Sequence, residues 1–144
     1  MRPIRRIIIH CSYTCPDMNI GAEEITRWHV EENNWRTIGY HGVIRRNGGF
    51  EPGRPIVQAG AHAGPQHNHD SIAICMVGGA RRQGKLLFPD CNFTADQWLA
   101  LTSQVMQLLR DYPTITAIQG HRDVAARECP TFDAIAWGSS FLGP

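Results

Sequence analysis

The chain has 144 residues, 42% hydrophobic and 19% charged, with a formal charge of +1 when histidine is neutral. That length suits a single domain over residues 1–144, large enough to bury about two-thirds of its unfolded surface without staples, and the composition excludes a disordered or low-complexity chain. The near-zero charge argues against a nucleic-acid binder, which concentrates basic residues on one face, and no window reaches the ~20 apolar residues of a membrane span.

Residues 4–11 carry the β-branched run Ile7, Ile8 and Ile9 and read as a buried strand with His10 at its C-terminal end. The basic N-terminus has no apolar core long enough for a signal peptide, because the isoleucines stop at His10. A helix follows over residues 22–33, with Asn19 as its cap and Glu23 and Glu24 in the first turn, where the helix dipole favours them. Ile25, Trp28 and His29 share one of its faces. Residues 38–46 alternate as a strand, and Asn47-Gly48-Gly49 turns the chain into Phe50-Glu51 before Pro52, Gly53 and Pro55 end regular structure.

Residues 58–70 are rich in Gly, Ala, His and Asn without an apolar period, which predicts a surface loop. The run from Ser71 to Val77 reads as a central strand covered on both faces, closed by Gly78-Gly79. The clearest helix spans residues 94–112: Thr94 and Gln97 form a capping box, and Phe93 staples onto Trp98. Trp98, Leu101, Val105, Leu108, Leu109 and Tyr112 make its apolar stripe. A last strand over 114–119 delivers His121, and a short helix near 132–137 completes the core. This alternation predicts an α/β fold, one domain with a central mixed β-sheet flanked by helices.

Five cysteines cannot all pair, so a mainly reduced protein with one thiol recruited to a metal is expected. His121 and Cys129 stand eight residues apart at a strand end and the loop after it. If the first and last strands are parallel, His10 reaches the same edge. Two imidazoles and a thiolate can hold one Zn²⁺ and leave a fourth position for water, the arrangement of a catalytic zinc. The remaining candidates read as structural. Cys75 is a small core residue, the Cys11/Cys15 spacing is too permissive for a second metal site, and His41 points away from Tyr40. Trp28 and Trp98 read as core residues, Trp35 as a packing residue that could instead stack on a sugar, the HxH pair His67 and His69 as loop histidines although such a pair can bind metal, and the short arginine pairs as solvated surface.

The order IIIHCS, GYHGVIRRNGGFEPGRP, GAHAG with NHDSIAICMVGG, and GHRDVAARECPTFD resembles the zinc-dependent N-acetylmuramoyl-L-alanine amidases of the phage lysozyme type, relatives of the peptidoglycan recognition proteins. The resemblance runs through nearly the whole chain. It implies that His10, His121 and Cys129 are the zinc ligands, that Tyr40 is the catalytic tyrosine, and that the substrate is peptidoglycan, cut between N-acetylmuramic acid and L-alanine. Where phage members commonly carry a lysine two residues before the zinc cysteine, this chain has Arg127. Arginine keeps the charge and can donate two hydrogen bonds to an oxyanion, yet it stays protonated, so its work there would be electrostatic; the alternative is a solvated loop residue. His62 in GAHAG borders the expected cleft, either touching substrate or simply exposed.

Two rival readings are a peptidoglycan-binding module without catalysis and a zinc peptidase acting within the stem peptide. Cys129, the ligand that non-catalytic relatives can lose, favours the enzyme. A monomer is expected, with peptidoglycan its only partner, held in the cytoplasm until released to the cell wall.

Overall fold

The computed structural model describes residues 1–143. Its centre is a five-stranded sheet of β1 (Arg6–Cys11), β2 (Gly42–Ile44), β3 (Phe50–Pro52), β4 (Ser71–Met76) and β7 (Ala117–Gly120), in the order β3-β2-β4-β1-β7. Pairing is parallel except between β2 and β3, so the sheet is mixed. The isoleucine strand β1 lies between β4 and β7 and is fully buried at Ile7, Ile8 and Ile9. A strand enclosed on both faces needs no polar alternation, which is why its sequence has none.

The longest helix, α3 (Ala95–Asp111), covers one face of the sheet. Its Leu101, Val105 and Leu108 meet Ile7, Ile9, Ile72, Ile74 and Met76 from the strands. The Thr94 hydroxyl accepts the Gln97 N–H at 3.1 Å, and the Gln97 carboxamide oxygen accepts the Thr94 N–H at 3.0 Å. Gln97 is itself buried, and its amide nitrogen donates to the Val77 carbonyl at 2.8 Å. The cap thus also ties the helix to the end of β4, leaving no unpaired polar group in the core. The staple forms as expected, with the Phe93 and Trp98 rings 5.8 Å apart.

On the opposite face α1 (Ala22–Asn33) closes a smaller core of Ile20, Ile25, Ile38, Val43, Cys75 and Val77. Gly21, not Asn19, is its N-cap. Asn19 lies too early to reach the first turn and instead accepts from the Arg45 guanidinium at 3.2 Å. Two carboxylates do the capping: Glu24 takes the Gly21 N–H at 3.0 Å and Glu51 the Ala22 N–H at 2.8 Å.

Two further expectations are corrected. The strand predicted over 38–46 is regular only at Gly42–Ile44. Before it the His41 imidazole replaces a backbone partner, its Nδ1 accepting the Ala73 N–H at 3.0 Å. The loop predicted over 58–70 contains the short helix α2 (Pro65–Asn68), too brief to show a period. A hairpin of β5 (Ala80–Gln83) and β6 (Leu86–Pro89) stands outside the main sheet. Arg81, Arg82, Gln83, Leu86 and Leu87 are all exposed, so it carries no inward-outward pattern by which to read it. The C-terminus forms α4 (Ala134–Gly138), whose Gly138 lets the helix approach Ile118 of β7; a Cβ there would lie 2.7 Å from the Ile118 side chain.

His41 makes a prediction about acid. Burial pushes its pKa down from 6.5 to about 4, so the folded chain resists a proton that the unfolded chain accepts. The stabilisation is complete above pH ~6.5 and is lost as pH falls toward 4, because there the unfolded state binds the extra proton. Urea titrations should show about 2–3 kcal/mol of His41-linked stability lost between pH 7 and pH 4.5. A His41→Gln variant, though less stable at pH 7, should lose that much less across the same interval. An equal acid loss in both proteins would remove His41 as the cause.

Candidate metal centre and cleft

Three side chains converge at the C-terminal edge of the parallel strands, the edge where open α/β sheets place their ligand sites. His10 is the penultimate residue of β1, and the register Ile9↔Gly120 puts it level with His121, which begins a 3₁₀ turn directly after β7. The two imidazole centroids lie 4.6 Å apart. The loop after His121 then folds back: the Arg122 N–H donates to the Cys129 carbonyl at 2.7 Å, and the Gly120 N–H to the Asp123 carboxylate at 2.7 Å. Gly120 is required for this closure, since a Cβ at that position would lie 2.7 Å from the Pro130 ring.

One ligand atom from each of His10, His121 and Cys129 lies within 4.8 Å of the others, the one such group of three among the described residues. A tetrahedral zinc with bonds of about 2.0–2.3 Å holds its ligand atoms roughly 3.3–3.8 Å apart, so a contraction of about 1 Å completes the fit. The donor set suits zinc. His10 is 1% exposed, and burial, followed by the nearby His62 and His121, holds its pKa well below the usual imidazole range, so its ring is a neutral donor. The Cys129 sulfur receives the Cys11 N–H at 3.1 Å, which favours thiolate, but the Cys11 thiol and burial together push its pKa well above the ordinary thiol value, so a bound metal would have to displace the proton.

Tyr40 stands beside this group, its ring centroid 4.9 Å from that of His10. Burial, and then the thiols of Cys75, Cys129 and Cys11, raise its pKa well above the ordinary phenol value, so it is a hydroxyl donor and not a base. A cleft of about 780 Å³ opens over the site, lined by Tyr40, His121, His62 and Arg127 together with His29 and Trp35. Arg127 is exposed at the rim and lowers the His121 pKa after burial has done so. His62 is held inside the wall, with Nδ1 2.9 Å from His10 Nε2 and Nε2 3.1 Å from Ser71 Oγ.

A family model described as N-acetylmuramoyl-L-alanine amidase matches residues 1–132. The chain belongs to this amidase family. Among curated relatives, the endolysin of Enterobacteria phage T3 is 42% identical over 131 residues, which cover 91% of this chain and 83% of the phage protein. Among solved structures, the amidase LysC from Clostridium intestinale superposes with a TM-score of 0.77 at 26% identity, over 96% of this chain and 83% of LysC. A Drosophila PGRP-LB variant in complex with tracheal cytotoxin superposes with a TM-score of 0.76 at 26% identity, over 97% of this chain and 82% of that one.

The amidase fold thus brings together the residues singled out from the sequence for the site: Tyr40, His62, His121 and Arg127 line the cleft, and His10 and Cys129 lie behind its wall, grouped with His121. Neither pole of the HxH pair in the 58–70 loop joins the metal group. Trp35 borders the cleft while stacking edge-on against His29, with centroids 4.7 Å apart. Two cleft residues escaped the sequence reading. His29, grouped there with the α1 core face, accepts the Gly39 N–H at Nδ1 over 2.9 Å and so links α1 to the turn carrying Tyr40. Asn68 takes the His62 and Ala63 N–H groups on its Oδ1, a contact with no sequence signature.

Proposed function

We propose that this amidase uses one Zn²⁺ held by His10, His121 and Cys129 to hydrolyse the amide between N-acetylmuramic acid and L-alanine in bacterial peptidoglycan. The observation that carries the reading is the convergence of two imidazoles and one thiol, from segments 119 positions apart, beside an open cleft into which His121 faces, inside an amidase fold. When bound, zinc supplies Lewis-acid polarisation of the amide carbonyl and activation of a water nucleophile near neutral pH. The protein residues do the rest. Tyr40 presents a protonated phenol to the reacting centre and hydrogen-bonds the charge that develops on the carbonyl oxygen. Arg127, at the rim, adds a fixed positive charge where a lysine is common in the family, and because it does not lose its proton its part is electrostatic.

The open cleft accommodates a polymer strand, with the sugar-peptide junction at the metal and the stem peptide running along the walls. The cytoplasm until release to the wall, and a monomeric state, complete the reading. No helix among the described residues is long and apolar enough to cross a membrane. Mass spectrometry of digested wall is the direct test: intact stem peptides with a free L-alanine amino group, and glycan ending in free lactyl carboxylate, are expected. Shortened stem peptides would point to a peptidase, and unchanged wall to a binding module.

Arg127 yields its own test. Arg127→Lys should keep activity within about threefold, while Arg127→Ala should lose about 10–100-fold in kcat with zinc content unchanged, since only a charge aimed at the transition state is removed. Equal rates for Ala and wild type would make Arg127 a solvated loop residue.

A further inference from the structure

Of the histidines around the cleft, His62 is the one whose two ring nitrogens are both engaged inside the protein. Following its protons outward from the sheet shows what those contacts fix. The Ser71 hydroxyl lies 2.7 Å from the His67 carbonyl oxygen, and a carbonyl can only accept, so the hydroxyl proton is committed there. His62 Nε2, 3.1 Å from the same oxygen, must therefore be the donor between those two. A neutral imidazole has one proton, so His62 Nδ1 presents a bare lone pair, and it faces His10 Nε2 at 2.9 Å. His10 Nε2 then carries the His10 proton, and His10 Nδ1 is left as the unprotonated nitrogen.

We propose that His62 is a positioning residue: through the chain His67 carbonyl, Ser71 hydroxyl, His62 and His10, it locks His10 into the single tautomer whose Nδ1 can bind a metal. The inference rests on the reading of His10 as a zinc ligand and adds how this chain prepares that ligand.

The surroundings are built for such a role. Ser71 is fully buried and opens β4, the strand paired with β1, so the hydroxyl is fixed to the same sheet as His10. Asn68 at the end of α2 takes the backbone N–H groups of His62 at 3.2 Å and Ala63 at 2.9 Å, which holds the GAHAG segment in place. A Cβ on Gly60 would lie 2.7 Å from the His62 ring, so the segment can pack this closely only with glycine there. A partner that orients a metal-bound imidazole typically contributes 10–100-fold in metal affinity.

The test uses the full chain, first without metal. Long-range proton–nitrogen correlation spectra of the histidine-labelled protein should show both His10 and His62 protonated at Nε2 at neutral pH. A His10 proton on Nδ1 would overturn the proposal outright. Zinc affinity by chelator competition then separates the variants. His62→Asn, whose amide oxygen stands close to the place of Nδ1, should bind zinc within about threefold of wild type, while His62→Phe should bind it about 10–100-fold more weakly. Ser71→Ala should leave His10 a mixture of tautomers. Wild-type zinc binding matched by His62→Phe sinks this inference alone, whereas a wild-type chain that binds no zinc sinks the metal reading itself. Should His62→Phe not fold, the wild-type spectrum and the Asn variant decide.

Discussion

Cys129→Ala is expected to give a folded protein that retains no zinc through gel filtration and hydrolyses cell wall at least ~10³-fold more slowly than wild type. The magnitude follows from what a Lewis acid contributes. A catalytic metal lowers a charged transition state by several kcal/mol, and each 1.36 kcal/mol is a factor of ten in rate, so about 4 kcal/mol already amounts to ~10³. Two imidazoles without the thiolate give an incomplete site, because the sulfur is the one anionic ligand of the three. The fold should persist, since the loop is closed by backbone and packing contacts that alanine keeps: the Arg122 N–H to the carbonyl of residue 129 and the seat of Pro130 against Gly120. Metal analysis beside a dye-release assay on purified wall measures both effects. Wild-type lysis by a metal-free Cys129→Ala protein would refute the ligand assignment.

Tyr40→Phe is expected to separate binding of the metal from its use. Zinc content and KM should stay near wild type while kcat falls about 10²–10³-fold, the usual cost of removing one hydrogen-bond donor from an oxyanion. The ring is part of the smaller core and packs between His10 and His29, with centroids 4.9 Å and 5.4 Å away, so phenylalanine preserves the shape and deletes only the hydroxyl. Because burial and neighbouring thiols hold the phenol protonated, no tyrosine ionisation should enter the neutral limb of the pH–rate profile. A Phe variant with full kcat would leave the oxyanion to other groups.

Much of this was legible before any coordinates, and the reasons are local. The isoleucine run, the Ser71–Val77 stretch and the capped helix after Thr94 each satisfy one short-range rule strongly, and all three stand where they were read. The parallel arrangement of β1 and β7 was the condition on which the metal group depended, and it holds. What the chain hid were features made by distant partners. Gly21 caps α1 because Glu51, thirty positions away, turns a carboxylate toward its first turn. His29 faces the cleft through a contact with Gly39, and His62 is taken up by Ser71 and His10, none of which a periodicity can reveal. The exposed hairpin was missed because neither of its faces is buried.

The strand that carries His10 is sandwiched between partners that are synthesised later, β4 and then β7. Cys129 leaves the ribosome 119 positions after His10. On the proposed ligand set, a product that stops short of Cys129 could not clasp the metal even with β7 in place, so competence to cut would wait for the loop after the sheet. With zinc held as proposed, the metal would tie together segments 119 positions apart, so a chelator should lower the melting temperature as well as the rate.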